Sequence, residues 1–261
     1  QHDYPACDRW NFAISSGGTW TVSQDTDVPS GEGFLTSMKY DCTTAESSLG
    51  SAAYLQHRQS IEGQNLQLLK KGTSNAEKLT VSFWVKATKT GTNILELFDN
   101  TNNRQVSKAY TISSSNTWEN KVVNFPADTS GALANSSAGS LNVQFYLGVG
   151  SNLSSGTLSE TWTAYTNANR AVGQVNHADS TSNNFYITGI QMEVGEFDST
   201  SIPSFPFESH ENNLRKCQRY YYFLGGVNDT YKRVSTNITN PNNRNQTAGL
   251  HYLPVPMRDT P

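Results

Sequence analysis

The sequence predicts an all-β protein, a sandwich or barrel of many short strands, and three observations predict it. Period-two alternation of apolar and polar residues recurs from one end to the other, the mark of strands with one buried face. Clusters of Gly, Ser, Asn and Pro separate these runs at short intervals, as turns do. Of 261 residues only 35% are apolar and 16% charged, the balance falling to Ser, Thr, Asn and Gly. Short polar side chains compete for backbone hydrogen bonds and so favour turns and exposed strand faces over helix interiors. Aromatics at 11% supply the bulk that a disordered polar chain lacks.

Taken in order, the first clean alternation is Thr19-Trp20-Thr21-Val22-Ser23, between the turn clusters Ser16-Gly17-Gly18 and Pro29-Ser30-Gly31-Glu32-Gly33. Leu79 to Lys86 alternates over eight residues, and Asn93 to Phe98, Lys121 to Phe125, Leu141 to Leu147 and Asn184 to Val194 follow. The stretch from about Gly150 to Asn183 is polar and interrupted by Trp162 and Tyr165. Its length exceeds the roughly 12–15 residues usual for a structureless connection, so it reads as a loop with a surface role or one pinned by its aromatics. Pro203 and Pro206 mark an extended linker. Beyond it, Leu214, Cys217 and Tyr221 fall at helical spacing behind Ser209, a suitable N-cap. The tail then reads as strands again. Residues 1–206 are therefore expected to form the sandwich, and 207–261 a short helix with the start of a second small β-domain.

Charge and length exclude several function classes. A net charge of −3 with no Lys/Arg run argues against nucleic acid, whose phosphates call for a basic stripe. No segment approaches the roughly 18 consecutive apolar residues of a membrane helix. Cys7, Cys42 and Cys217 are far apart and odd in number, which fits buried thiols better than a disulfide framework, with a Cys7–Cys42 bridge the alternative. The opening Gln1-His2-Asp3 and the closing Met257-Arg258-Asp259-Thr260-Pro261 read as the edges of a piece of a longer protein.

Catalytic and metal chemistry leave little trace. The five histidines are isolated, and no Cys-x-x-Cys or His-x-x-x-His occurs. Asp25, Asp27 and Glu32 form the compact oxygen cluster, of the donor type that calcium takes, though ordinary turn chemistry explains the same residues. No nucleophile elbow is present, so no cofactor or catalytic residue is expected and the chain reads as non-enzymatic. Polysaccharide cleavage needs only two facing carboxylates, and Glu62, Glu96, Glu193 and Asp179 are available for it.

Several phrases together resemble tail-fibre and related virion proteins of tailed bacteriophages. They are Cys7-Asp8-Arg9-Trp10, Thr21 to Pro29, Gln59 to Gly63, Leu79 to Lys86, Lys89-Thr90-Gly91, Asn116 to Glu119, Ile187 to Gly195, Pro206-Phe207-Glu208, Cys217 to Tyr221 and Pro254 to Pro261. The resemblance implies a jelly-roll β-sandwich similar to carbohydrate-binding modules, then a short helix and a second small β-domain. It implies a homotrimeric fibre or projection on the tail or capsid exterior, with other virion proteins and host surface polysaccharide as partners. It supplies no catalytic residues. Trp10, Phe83, Trp84 and Trp118 read as core, and Gly63, Gly91, Gly189 and Gly195 as turns or bulges. Sugar binding stacks exposed aromatics beside Asn, Asp and Gln. Trp162 and Tyr165 are the candidates for it, then Trp20, although each also suits local packing. A purely structural virion component (capsid fibre, decoration protein or tail adaptor) is the alternative function, and a depolymerase the third.

Overall fold

The computed structural model describes residues 9–220 in full, the backbone of His2–Asp3, and residues 254–255. In chain order the strands are β1 (His2–Asp3), β2 (Asn11–Ser15), β3 (Thr19–Asp25), β4 (Ser37–Thr44), β5 (Tyr54–Glu62) and β6 (Leu79–Ala87). They continue as β7 (Gly91–Asp99), β8 (Arg104–Ile112), β9 (Glu119–Phe125), β10 (Gly139–Val149), β11 (Thr163–Ala164) and β12 (Asn184–Val194). Two short helices are α1 (Ser151–Ser154) and α2 (His210–Gln218).

The strands form two antiparallel sheets in the jelly-roll manner. One has seven strands, ordered β1-β2-β5-β10-β7-β8-β11, and the other five, ordered β3-β4-β12-β6-β9. The chain crosses repeatedly between them, so that β5 lies against β10 and β12 between β4 and β6. Alternation decides what each sheet buries. Val81, Phe83 and Val85 of β6 meet Leu95, Leu97, Val143, Phe145 and Leu147 of the opposite sheet, all at 3% exposure or less. Burying such side chains contributes about 1.5–3 kcal/mol each, the main favourable contribution to folding.

Trp84 and Trp118, expected in the core, instead belong to the outer face of the five-stranded sheet. Phe83 takes the inward position, so its neighbour Trp84 points away, paired in register with Thr188 and Asn120. Trp118 meets Tyr186 edge-on at 6.2 Å between centroids, with Lys86 over both rings. Trp10 is partly buried at the mouth between the sheets, stacked on His57 at 4.3 Å. Clefts of about 290 and 220 Å³ adjoin it there, both bordered by Ile190.

The chain divides into two compact units, Gln1–Phe205 and Pro206–Pro261. In the second, Ser209 caps α2 by accepting a hydrogen bond from the Asn212 N–H at 3.4 Å. Glu211 in its first turn and Arg215 and Lys216 in its last oppose the helix dipole. The second small β-domain expected after this helix lies outside the described residues, as does Cys7. Cys42 is a buried thiol and Cys217 a half-buried one.

Candidate functional site

The site is built on the outer face of the seven-stranded sheet, where the long loop of residues 150–183 folds back over β7 and β10. With Val143, Phe145 and Leu147 committed to the core, alternation turns Asn142, Gln144 and Tyr146 outward. Leu153 and Ala171 of the loop pack with Ile94 and Tyr146 into a second, smaller core. The loop is thus a packed layer rather than a free excursion.

Beneath it lies a polar network. Glu96 is fully buried and faces Arg170 from the loop, which donates Nε and Nη2 hydrogen bonds to its carboxylate at 2.8–3.2 Å. The Tyr146 hydroxyl donates to Glu96 Oε2 at 2.7 Å, and Arg170 Nη2 reaches Gln144 Oε1 at 3.3 Å. Burial opposes the charge on Arg170, but the Glu96 carboxylate prevails and holds the guanidinium above its ordinary value. Burial likewise pushes the Tyr146 phenol up, and Glu96 adds to the effect.

This network positions an exposed aromatic. The Arg170 guanidinium lies 5.2 Å from the Phe98 ring and 5.5 Å from that of Tyr165, and the two rings meet edge-on at 5.6 Å. Tyr165 is 38% exposed. Its backbone is fixed on both sides: Tyr165 N–H donates to Asn103 O at 2.9 Å, and the buried Gln105 amide pairs with both backbone groups of Thr166 at 3.1 Å. The Tyr165 hydroxyl donates to Asn167 Oδ1 at 2.9 Å. In register beside Phe98 stand Asn142 and then Ser60, with Asn100 bonded to Asn142 at 3.2 Å. A half-exposed pair of rings therefore sits beside a strip of amides and a hydroxyl, with Phe98, Asn142 and Ser60 on strands and Tyr165 just past the end of β11.

The other aromatics proposed from the sequence are placed differently. Trp162 packs against the main core, donates its indole N–H to Pro126 O at 2.9 Å and lies 4.9 Å under the Lys71 ammonium. Trp20 bonds Gly17 O at 2.9 Å and meets Phe12 edge-on. The structure brings neither of them to Tyr165 as a joint surface. Phe98, Asn142 and Arg170 are not site candidates in the sequence reading; the available signal is the alternation that puts Glu96 and Phe98 on the face opposite to Leu95 and Leu97.

The calcium candidates do not assemble. Asp27 is paired with Lys86 and accepts the Trp118 indole N–H at 2.9 Å, and these contacts hold its carboxyl below the usual range. Asp25 accepts the Asp27 N–H at 2.9 Å and lies 3.7 Å from Lys39, while Glu32 is exposed. Among the described residues no group of three or more His, Cys, Asp or Glu is arranged to hold a metal ion. The carboxylates available for hydrolysis are each engaged: Glu96 by Arg170, Asp179 by Lys89, Glu62 by Gln64 at 2.6 Å and Glu193 by Gln191 at 2.9 Å.

No family model matches the chain, and no curated protein matches it. Among solved structures it is similar to the enzymatically active domain of tailspike protein 4 of bacteriophage CBA120, at 15% identity and a TM-score of 0.40 over 72% of this chain and 19% of that one. It is also similar to the family 11 carbohydrate-binding module of the Clostridium thermocellum cellulosomal cellulase Lic26A-Cel5E, at 10% identity and 0.39, covering 76% and 94%. A third is TmCBM61 in complex with β-1,4-galactotriose, at 10% identity and 0.38, covering 73% and 91%.

Proposed function

We propose that this chain is a non-catalytic module on the exterior of a bacteriophage particle that contacts host surface glycan through Tyr165 and Phe98. The observation that carries the binding site is the rigid presentation of Tyr165. Its ring is exposed, yet its backbone and its cationic neighbour are both tied to fully buried groups, Gln105 and Glu96. Stacking on a sugar face needs an apolar plate that loses little freedom on binding, and flanking amides to bond hydroxyls. Phe98, Asn142, Asn100 and Ser60 supply both. The place on a virion rests on the phrases that resemble tail-fibre proteins. A structural spacer would instead favour a wide exposed apolar strip, but Leu35, Leu68 and Tyr165, the exposed large hydrophobics described in the first unit, stand on separate elements.

Titration of the purified protein with a panel of bacterial capsular and O-antigen polysaccharides tests the reading. At least one polysaccharide is expected to bind saturably, and Tyr165→Ala to weaken it about tenfold or more, roughly 1.4 kcal/mol. Folded wild-type protein that binds none of them, or a Tyr165→Ala variant that binds unchanged, would overturn it.

A further inference from the structure

A second cluster of reactive groups, outside this face, is closed off at one end of the sandwich. Lys71 follows a left-handed turn at Lys70 and sends its side chain inward to 4% exposure. Its Nζ lies 2.5 Å from Asp99 Oδ2 and 2.9 Å from Asp128 Oδ2, with both carboxylates equally buried or more so. Ser130 O and Gly131 O accept from the same nitrogen at 3.1 and 2.9 Å, and the Trp162 ring covers it at 4.9 Å. The Asp99 carboxylate receives two donors from Asn102, the backbone N–H on Oδ1 and Nδ2 on Oδ2, each at 2.9 Å. Arg104 grips Asp128 in a bidentate pair at 2.8 and 2.9 Å.

We propose that Lys71 and Asp99 condense into an intramolecular amide, a covalent cross-link between the segment before β6 and the end of β7. Every part such a reaction needs is present. Two backbone carbonyls hold two of the nitrogen's hydrogens, so the third lies between the Asp99 and Asp128 carboxylates, and its loss leaves a lone pair facing Asp99. Asp128 accepts one ammonium proton and relays it to that carboxyl. Nζ attacks Cγ, and the Asn102 backbone N–H stabilises the charge that develops on Oδ1 while Asn102 Nδ2 holds Oδ2, the departing oxygen. The Cγ–O bond then breaks, and the departing hydroxyl takes a second proton from the nitrogen and leaves as water. The amide keeps the third proton, so an ammonium and a carboxylate become one amide and one water with no oxidant or co-reactant.

Charge balance favours the product. Two cations, Lys71 and Arg104, face two anions, Asp99 and Asp128. Condensation removes one of each and leaves the Arg104–Asp128 pair intact, so no buried charge is orphaned. A buried amide with its N–H on Asp128 is also far less costly to desolvate than two buried ions. The enclosing Trp162 then has a role that its burial left unexplained: it keeps bulk water from the reacting carbon.

The intact mass of the full chain, measured after denaturation, decides the matter. The expected mass is one water below that of the sequence, a loss distinct from the ammonia that cyclisation of Gln1 would remove. Proteolysis should yield a branched peptide joining Lys71 to Asp99, and Lys71→Arg should return to its full sequence mass. A wild-type mass equal to the sequence, or a water loss that persists in Lys71→Arg, would overturn the cross-link. The branched peptide is read from wild-type protein, so the result does not depend on the variant folding.

Discussion

His57 and His177 are fully buried, and burial pushes each imidazole down to about 3. Tyr40 hydrogen-bonds Nδ1 of His57, and Asn93 Oδ1 lies 2.7 Å from Nε2 of His177, whose Nδ1 has no partner. Both side chains are therefore core residues whose neutral form the fold requires. Their folded pKa values lie below the unfolded value near 6.5, so the unfolded chain binds more protons and stability rises with pH. The contribution is complete above about pH 6.5 and is lost progressively as pH falls towards 3. Between pH 7 and 5 each histidine should cost about 2 kcal/mol, read as a fall in the urea midpoint that His57→Phe and His177→Asn each reduce. A midpoint unchanged from pH 7 to 5 would contradict this. At this scale the sequence conceals more than it reveals. An isolated His in Gln56-His57-Arg58-Gln59 gives no hint of facing inward. Phe83-Trp84 likewise does not say which of two adjacent aromatics takes the core.

Strands were legible wherever one face was apolar and the other polar. Leu79 to Lys86 lies within β6, and Asn184 to Val194 is the whole of β12. The strands that escaped notice, among them β5 and β8, carry polar side chains on a face that the structure buries: Gln56 on β5, Gln105 and Ser107 on β8. What covers the β8 residues is the loop of residues 150–183, hydrogen-bonded across to them: Ser107 N–H donates to Ser159 O, and Gln105 pairs with Thr166. Only the tertiary fold creates that layer, so the loop's length was visible but its packing was not. Glu96 is its keystone. Glu96→Ala leaves Arg170 buried without its anion and Tyr146 without its acceptor, a loss of about 3–5 kcal/mol. Glycan binding should weaken with it through the release of Tyr165, whereas Tyr165→Ala should leave the thermal midpoint nearly unchanged. Equal midpoints for the two variants would sink this division of labour. Gly189 illustrates an element feature that was legible: it sits at φ +60° in the bulge between Thr188 and Gln191, where an added Cβ would meet the Phe34 ring at 2.5 Å.

At the scale of the molecule, the main core formed by the described residues lies within the first unit. Phe83, Phe145, Leu95, Leu97 and Phe185 are sealed between two sheets of its own strands, and the seven-stranded sheet ends at both edges in two-residue strands, β1 and β11. Short edges offer little backbone for pairing with another chain. The five-stranded sheet is less protected, ending in the seven-residue strands β3 and β9, although Lys121 and Glu119 form an ion pair on β9. A self-contained sandwich of this kind should fold alone, since its core is closed within residues 1–205. The homotrimer implied by the resemblance to tail-fibre proteins would then draw on residues beyond it. Light scattering on two proteins separates these statements: the full chain is expected at three times its 28.7 kDa, and a fragment ending at Phe205 as a folded monomer. A monomeric full chain would remove the trimer. A trimeric fragment would move the assembly surface onto the sandwich itself, with β3 the first strand to mutate.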